Sequence, residues 1–173
     1  APSANGSGGV SPTTAEHVAL SLGGAAPLIL DGGQCEAGIE STIVALREGG
    51  GWQVLRPGPI EQARIAAILG TLPDAVTSPS IEAPGQLASH YAPGKPIRLD
   101  ALSPESDEFL IGFGPIAGAI NLSPTGDLAE AAAQLYAALH SGAASHLSRI
   151  AVAPVLNTGI GAAINDRLRR AAV

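Results

Sequence analysis

A proline-rich segment is the feature that most constrains how this 173-residue chain can fold. Residues 77–96 read TSPSIEAPGQLASHYAPGKP, with four prolines, two glycines and no hydrophobic periodicity. Because a residue that precedes proline avoids the helical region, the segment disfavours a helix and favours extended backbone. We therefore predict a linker that separates residues 1–76 from residues 97–173.

The first region combines glycine-rich turns with apolar runs. Ser11-Pro12 is typical of a helix N-cap followed by proline at the first helical position, and Thr13 and Glu16 have capping-box spacing. This helix should end near residue 22, before a pair of glycines. Further elements predicted here are a buried strand at 27–30, a hairpin formed by 41–47 and 52–55, and a short helix at 61–69.

The last region alternates short apolar runs with helical patterns. Strands are predicted at 97–99, 109–112, 118–122 and 150–155, and helices at 128–139 and 160–172. Ser123 or Thr125 is the expected N-cap of the first of these helices. Strands that alternate with helices favour a mostly parallel sheet with helices on its faces, so the fold class is α/β.

The amino-acid composition argues against some classes of protein. The chain is 46% hydrophobic and 14% charged, which is enough to bury a core. Its net charge of −6 argues against a broad basic surface for nucleic acid, so we expect no stable nucleic-acid binding. No apolar run is long enough to span a membrane. Cys35 is the only cysteine, so no disulfide can form within the chain; we expect a buried or half-buried thiol and a cytoplasmic protein.

Two loops carry residues suited to ligand binding. Residues 2–14 place small hydroxyl residues and glycines directly before a helix N-terminus, where backbone N–H groups can bind an anion; the alternative is simple helix capping. In residues 31–44, Asp31 and Glu40 could each act as a base or metal ligand, or equally cap a turn or strand. Ser41 and Thr42 open a strand, where one hydroxyl must face a ligand or a neighbouring strand.

Three further side chains stand out. Arg56 ends an apolar strand and enters a fixed Pro-Gly turn, so it could bind phosphate with two hydrogen bonds if the serine-rich loop lies beside it. His90 and Tyr91 lie in the linker, where the aromatic ring could serve a site or merely attach the linker to a domain. The four histidines show no metal-binding spacing.

These strings together resemble a known family. PSANGSGGVSPTTAEHV, LILDGGQCEAGIESTIV and LRPG, in this order, resemble the second half of the YrdC-type domain of threonylcarbamoyl-AMP synthases. The segment APGQLASHYAPGKP and the ending GIGAAINDRLRRAA are similar to the linker and last helix of the longer, two-domain form. The resemblance implies a twisted mixed α/β YrdC-like part at 1–76, a linker or lid at 77–96 and a small Rossmann-like domain at 97–173.

By motif match, the resemblance also implies site residues. The ATP-binding positions are Ser3, Asn5, Ser11, Arg56 and Tyr91. Ser41 falls on an L-threonine-binding position, with Thr42 as the alternative if the register shifts by one residue. His90 accompanies Tyr91 in the lid. No covalent or acid–base catalyst is implied, and the metal ligands are left unknown.

The family's activity is implied in the same way. Members form threonylcarbamoyl-AMP and pyrophosphate from L-threonine, bicarbonate and ATP with Mg²⁺, and a downstream tRNA-modifying transferase complex uses the product. A basic Lys-x-Arg motif of the family belongs to the first half of its catalytic domain and has no counterpart in this sequence. We therefore expect the 173-residue chain alone to be inactive.

Two other functions remain open from the sequence. One is a carbamoyl-adenylate-forming enzyme of hydrogenase maturation, which belongs to the same superfamily. The other is a non-catalytic module that binds RNA or a nucleotide, although the acidic charge counts against RNA. The role of residues 97–173 cannot be inferred from their sequence.

Overall fold

The structure of the chain, a computed structural model, describes residues 4–75, 82–84 and 90–173. Half of the predicted linker, residues 77–81 and 85–89, therefore lies outside the described residues, and so does Ser3. The elements in chain order are α1 (Ala15–Leu22), β1 (Ile43–Leu46), β2 (Trp52–Arg56), α2 (Gln62–Leu69), β3 (Ile97–Arg98), β4 (Glu108–Gly112), β5 (Ile120–Asn121), α3 (Leu128–Ala144), β6 (Arg149–Val152) and α4 (Gly161–Ala171). A short 3-10 turn, Gly23–Ala25, follows α1.

The first helix begins later than its sequence signals predict. Thr14, and neither Ser11 nor Thr13, is the N-cap, and its hydroxyl accepts a hydrogen bond from the backbone N–H of His17. Thr13 is buried instead, and its own N–H donates to Nδ1 of His17. The predicted end before Gly23 is confirmed, since that glycine is the C-cap and has a positive φ of 50°.

The predicted hairpin is confirmed. Strands β1 and β2 pair antiparallel, with Leu46 opposite Trp52 at the turn and Ile43 opposite Arg56 at the open end. Trp52 is 1% exposed, and its indole N–H donates to the backbone oxygen of Thr71. The hairpin therefore brings the residues just before β1 close to the end of β2.

The predicted buried strand at 27–30 is wrong. These residues adopt no regular structure, and Leu28 and Leu30 are 78% and 86% exposed. An apolar run becomes a buried strand only when another strand accepts its hydrogen bonds and a second layer covers it. Nothing in the described part of the chain pairs with this run.

The predicted parallel sheet is confirmed for the last region. Its strand order is β3-β6-β4-β5, and every pair in it is parallel. Strands β3, β5 and β6 are shorter than predicted, whereas β4 begins one residue earlier than predicted. The central strand β6 is buried from Ile150 to Val152. This parallel sheet, with α3 between β5 and β6 and α4 after β6, gives a mixed α/β fold.

Helices α3 and α4 supply half of the described buried residues of the main hydrophobic core. Asp127, and neither Ser123 nor Thr125, caps α3, because its carboxylate accepts from the backbone N–H of Glu130. The helix continues to Ala144, five residues beyond its predicted end. Its buried face recurs every three or four residues, as expected for an amphipathic helix against a sheet. That face comprises Ala131, Ala132, Leu135, Tyr136, Ala138, Leu139 and Gly142.

The first region packs directly on α3. Val10 and Ile39 belong to the same hydrophobic core as the sheet and its helices. Gly38, at a φ of +66°, lies so close to α3 that a Cβ there would be 2.4 Å from the Cα of Ala133. None of the helices in residues 4–75, 82–84 and 90–173 combines the length and the apolar character needed to cross a membrane.

Candidate functional site

The hairpin brings two predicted site residues together. Nε of Arg56 donates to the backbone oxygen of Ser41 at 3.0 Å, and Nη2 donates to its hydroxyl oxygen at 3.3 Å. Nη1 reaches the backbone oxygen of Pro84 at 3.5 Å. These contacts follow from the strand register. Arg56 pairs with Ile43, and Ile43 follows Ser41 by two residues. The candidate phosphate and threonine residues thus form one exposed polar group.

Thr42 has a different environment from Ser41. Its hydroxyl donates to the backbone oxygen of Ile60 at 2.7 Å and accepts from the N–H of the same residue at 3.2 Å. A hydroxyl that both donates and accepts within the chain has little capacity left for a ligand. The geometry therefore favours Ser41 over Thr42 as the ligand-facing residue.

Asn5 organises the serine-rich loop. Its side-chain amide donates to the backbone oxygens of Gly6, Gly9 and Val10 at 3.1 to 3.4 Å. The end of the linker lies along this loop, because the N–H of Ala92 donates to the backbone oxygen of Gly8 at 2.9 Å. Asn5 is therefore placed to shape the loop.

Ser11 contacts an acidic residue that sequence reasoning left undecided. Its hydroxyl donates to Oε1 of Glu40 at 2.6 Å. The same carboxylate accepts from the Tyr136 hydroxyl at 2.9 and 3.0 Å and from Nε of Arg167 at 3.1 Å. Burial by itself would raise the pKa of Glu40, but the Ser11 hydrogen bond and the Arg167 charge outweigh it and lower that pKa. Glu40 is therefore ionised at neutral pH.

His90 and Tyr91 enter the core at the end of the linker. Tyr91 is 1% exposed, with a φ of 63°, and its ring centroid lies 5.6 Å from that of Tyr136. The Arg167 guanidinium carbon lies 5.7 Å from the centroid of the Tyr91 ring. His90 packs edge-on against Tyr91 at 4.1 Å, and its N–H donates to the backbone oxygen of Arg170. Burial lowers the pKa of His90 and raises that of Tyr91.

A cavity of about 380 Å³ opens between the serine-rich loop, the 29–40 loop and α3. Ser11, Thr13 and Glu40 line it, and Tyr136 contributes from α3. Thr14 and Asp31 also line it, so hydroxyl and carboxylate groups interrupt a largely apolar lining. The cavity is thus formed jointly by the first region and by a helix of the last region.

The remaining acidic and sulfur candidates have ordinary environments. Asp31 accepts from the backbone N–H of Gly33 at 2.9 Å, so it stabilises a turn. Cys35 is exposed, so the expectation of a buried or half-buried thiol is wrong; the residue follows the turn at Asp31 and does not reach the core. Within 4–75, 82–84 and 90–173, no group of three or more His, Cys, Asp or Glu residues could hold a metal ion.

Sequence reasoning missed Tyr136 and Arg167. Arg167 is fully buried on a helix whose inward positions include Ile164, Leu168 and Ala171. An arginine inside such an apolar stripe is a detectable signal, because a buried guanidinium requires a partner. The partner itself, Glu40, lies 127 residues earlier and cannot be found from local pattern.

Comparison with known proteins places this architecture in a family. A family model described as threonylcarbamoyl-AMP synthase, C-terminal domain, matches residues 60–173, about two thirds of the chain. The chain belongs to the threonylcarbamoyl-AMP synthase family. A second model, for Sua5, YciO and YrdC proteins and described as telomere recombination, matches residues 1–58.

Individual members of the family match nearly the whole chain. Threonylcarbamoyl-AMP synthases of Bacillus subtilis (strain 168) and Pyrococcus abyssi (strain GE5 / Orsay) are 35% and 33% identical to it, over 99% of its length. The chain spans 56% of the length of each relative. The crystal structure of P. abyssi Sua5 complexed with L-threonine superposes with a TM-score of 0.84 at 28% identity, covering 99% of this chain and 56% of that one. The mixed α/β fold with its parallel sheet is thus the fold of Sua5.

Proposed function

We propose that this chain takes part in the synthesis of L-threonylcarbamoyladenylate from L-threonine, bicarbonate and ATP. Its membership of the threonylcarbamoyl-AMP synthase family supports the reaction class. The L-threonine described in the P. abyssi Sua5 structure supports the amino-acid substrate. We further propose that the product serves threonylcarbamoyladenosine formation in tRNA through a downstream transferase complex in the cytoplasm.

The observation that carries this proposal is the contact between Arg56 and Ser41. The motif match assigns one to the nucleotide phosphates and the other to threonine, and the hairpin holds them 3.0 to 3.3 Å apart. A reaction that joins a threonine-derived group to the α-phosphate needs these two binding positions side by side. The exposed guanidinium can exchange its contacts with Ser41 for a phosphate, to which it binds with two parallel hydrogen bonds.

The chemistry places few demands on the protein beyond position and charge. The threonine amine and bicarbonate form a carbamate with loss of water. A carbamate oxygen then forms a bond to the α-phosphorus, and the bond to the leaving pyrophosphate oxygen breaks. Charge on the phosphates is largest during this transfer, so Arg56 would stabilise the transition state. Ser3, Asn5 and Ser11 are proposed to bind ATP, and His90 and Tyr91 to cover it.

Mg²⁺ is part of the proposal only as a partner of ATP. Mg²⁺ usually keeps several waters and binds phosphates together with one or two carboxylates. The described residues provide no cluster of metal ligands, so no protein ligand is assigned to it.

The division into a YrdC-like part at 1–76, a linker or lid at 77–96 and a Rossmann-like domain at 97–173 likewise remains a proposal.

The test is pyrophosphate release that depends on both threonine and bicarbonate. It is run with this 173-residue chain and with a protein extended to the length of its relatives; we expect turnover only in the longer protein. In that protein Arg56→Ala should lower turnover about 10²-fold, by analogy with removal of an oxyanion donor. Arg56→Lys should retain part of the activity because it keeps the charge.

Arg64→Ala is the matched control, because Arg64 lies on the exposed face of α2. It should leave turnover unchanged. Turnover without threonine would contradict the proposed substrate, and a near-silent Arg56→Ala would remove Arg56 from the site. Robust activity of the 173-residue chain would contradict the expectation that the reaction requires the longer protein.

A further inference from the structure

One arginine of α4, Arg167, contacts three segments that carry proposed site residues. They are the segment before Ser41, the segment after Arg56 and the end of the linker at Tyr91. Arg167 is 0% exposed, and its Nε donates to Glu40 at 3.1 Å. Its Nη1 donates to the backbone oxygen of Pro57. Its guanidinium carbon lies over the Tyr91 ring, 5.7 Å from the centroid.

Each contacted residue is next to, or is itself, a proposed substrate residue. Glu40 immediately precedes Ser41, and Pro57 immediately follows Arg56. Tyr91 is the proposed lid residue. A displacement of the Arg167 guanidinium would therefore move the threonine position, the phosphate position and the lid together.

The serine-rich loop joins the same network through Glu40. The Ser11 hydroxyl donates to one carboxylate oxygen at 2.6 Å, while Tyr136 of α3 donates to both oxygens. Glu40 thus links a loop of the first region to two helices of the last region. Both helices are anchored in the hydrophobic core, so they form a stiff support.

We propose that Arg167 is the positioning residue through which the last region of the chain arranges the substrate-binding segments, with Glu40 and Tyr136 relaying its position to Ser11. This assigns a role to residues 97–173, and its catalytic consequence rests on the proposed function. Arg167 does not touch substrate; it acts through the segments that do.

The chemistry of the side chain explains why arginine is required. A buried ion pair pays a large desolvation cost and adds little net stability, so position rather than stability is its contribution here. Guanidinium has donors in a fixed planar fork, so it can donate to Glu40 and Pro57 while its positive charge lies over the Tyr91 ring. A lysine ammonium is a point charge that cannot make all three contacts.

The first test measures amide hydrogen exchange in this chain with Arg167→Lys. We expect faster exchange in residues 38–42, 58–60 and 90–92, and unchanged exchange in the core of α3. Arg169→Lys is the matched control, because Arg169 is exposed on the same helix, and its exchange pattern should equal that of the wild type. Unchanged exchange in the three segments of Arg167→Lys would overturn the proposal, whether or not the chain has the proposed activity.

The second test separates positioning from stability in the protein of full relative length. Arg167→Lys should lower kcat/KM for ATP and threonine about 10²-fold, as expected for a displacement of about 1 Å. Arg167→Met should lower kcat/KM as well, and it should lower the thermal stability because Glu40 loses its charged partner. The double variant Glu40→Gln with Arg167→Met removes both charges, so it should regain thermal stability without regaining kcat/KM.

The outcomes are distinguishable. If kcat/KM returns together with stability in the double variant, Arg167 is only structural and the proposal is wrong. If wild-type protein releases no threonine-dependent pyrophosphate, the proposed function fails, and the exchange experiment alone decides the positioning role. If exchange changes but kcat/KM of Arg167→Lys equals that of the wild type, the catalytic part of the inference is overturned.

Discussion

At the scale of single residues, Tyr91 shows how a proposed lid residue can be part of the core. Its ring is buried between Tyr136, Arg167 and His90, and only 1% of it is exposed. Deleting such a ring typically costs about 3–5 kcal/mol of folding free energy. Tyr91→Ala would therefore mix loss of folding with loss of function, and conservative changes are needed.

We expect Tyr91→Phe and Tyr91→Leu to behave differently. Phenylalanine keeps both aromatic faces, so thermal stability and KM for ATP should stay near wild type. Leucine fills much of the space but loses the contact with the guanidinium, so KM for ATP should rise about tenfold, or about 1.4 kcal/mol. Steady-state kinetics over an ATP titration and thermal unfolding of each variant measure this. A wild-type KM for Tyr91→Leu would refute the lid role.

At the scale of elements, a pair of histidines joins α1 to α3. The rings of His17 and His140 stack with centroids 3.9 Å apart. Nδ1 of His17 accepts from the N–H of Thr13, and His140 contacts the backbone oxygen of Ser11. Burial lowers the pKa of both rings, and the neighbouring His140 charge lowers that of His17 further, against an opposing effect of Glu16.

This geometry predicts lower stability at mildly acidic pH. Both pKa values are depressed in the folded state, so the unfolded chain binds protons first as pH falls through about 6.5. The free energy of unfolding should therefore decrease between pH 7.5 and pH 5.5. His140→Phe keeps a stacking ring without the charge and should flatten this dependence, as measured by urea unfolding at several pH values.

Exposed His146 provides the control for this experiment. His146→Gln should leave the pH dependence of unfolding as in the wild type. If His140→Phe has the wild-type slope over the same pH range, the stacked pair does not cause the pH dependence.

At the scale of the whole molecule, the two regions share one core but contribute unequally to it. Among the described buried residues of that core, only Val10, Ile39 and Tyr91 precede residue 97. Lys95 adds a link at the boundary, because its ammonium donates to the backbone oxygens of Gly142 and Ser145. The parallel sheet, α3 and α4 therefore depend mainly on contacts within residues 93–173.

We expect residues 93–173 to fold alone, with lower stability than the complete chain. Removing Val10, Ile39 and Tyr91 exposes the apolar surface that they cover. This should lower the free energy of unfolding by about 1.5–3 kcal/mol for each of these side chains. Circular dichroism should show a single cooperative thermal transition at a lower midpoint than that of residues 1–173. A fragment without a cooperative transition would show that the first region is required for the sheet to form.

The sequence predicted local structure where local physics decides it. Glycine positions located the C-terminal end of α1 and the turn of the hairpin, and alternating apolar and helical patterns predicted the parallel sheet of the last region. Helix boundaries were less accurate, because several polar residues before α1 and α3 could each serve as N-cap. The strand at 27–30 failed because strand formation depends on a partner that hydrophobicity alone does not reveal.

For the candidate site, the sequence by itself determined which residue types are present and which family motifs they form, since motifs are local in the chain. Tertiary structure alone decided that Arg56 meets Ser41, that Ser11 donates to Glu40, and that Tyr136 and Arg167 complete the network. Glu40 and Arg167 are 127 residues apart, and only the packing of α4 brings them together. The physical reason is that a buried charge takes its partner from whatever the fold places beside it, whatever the distance along the chain.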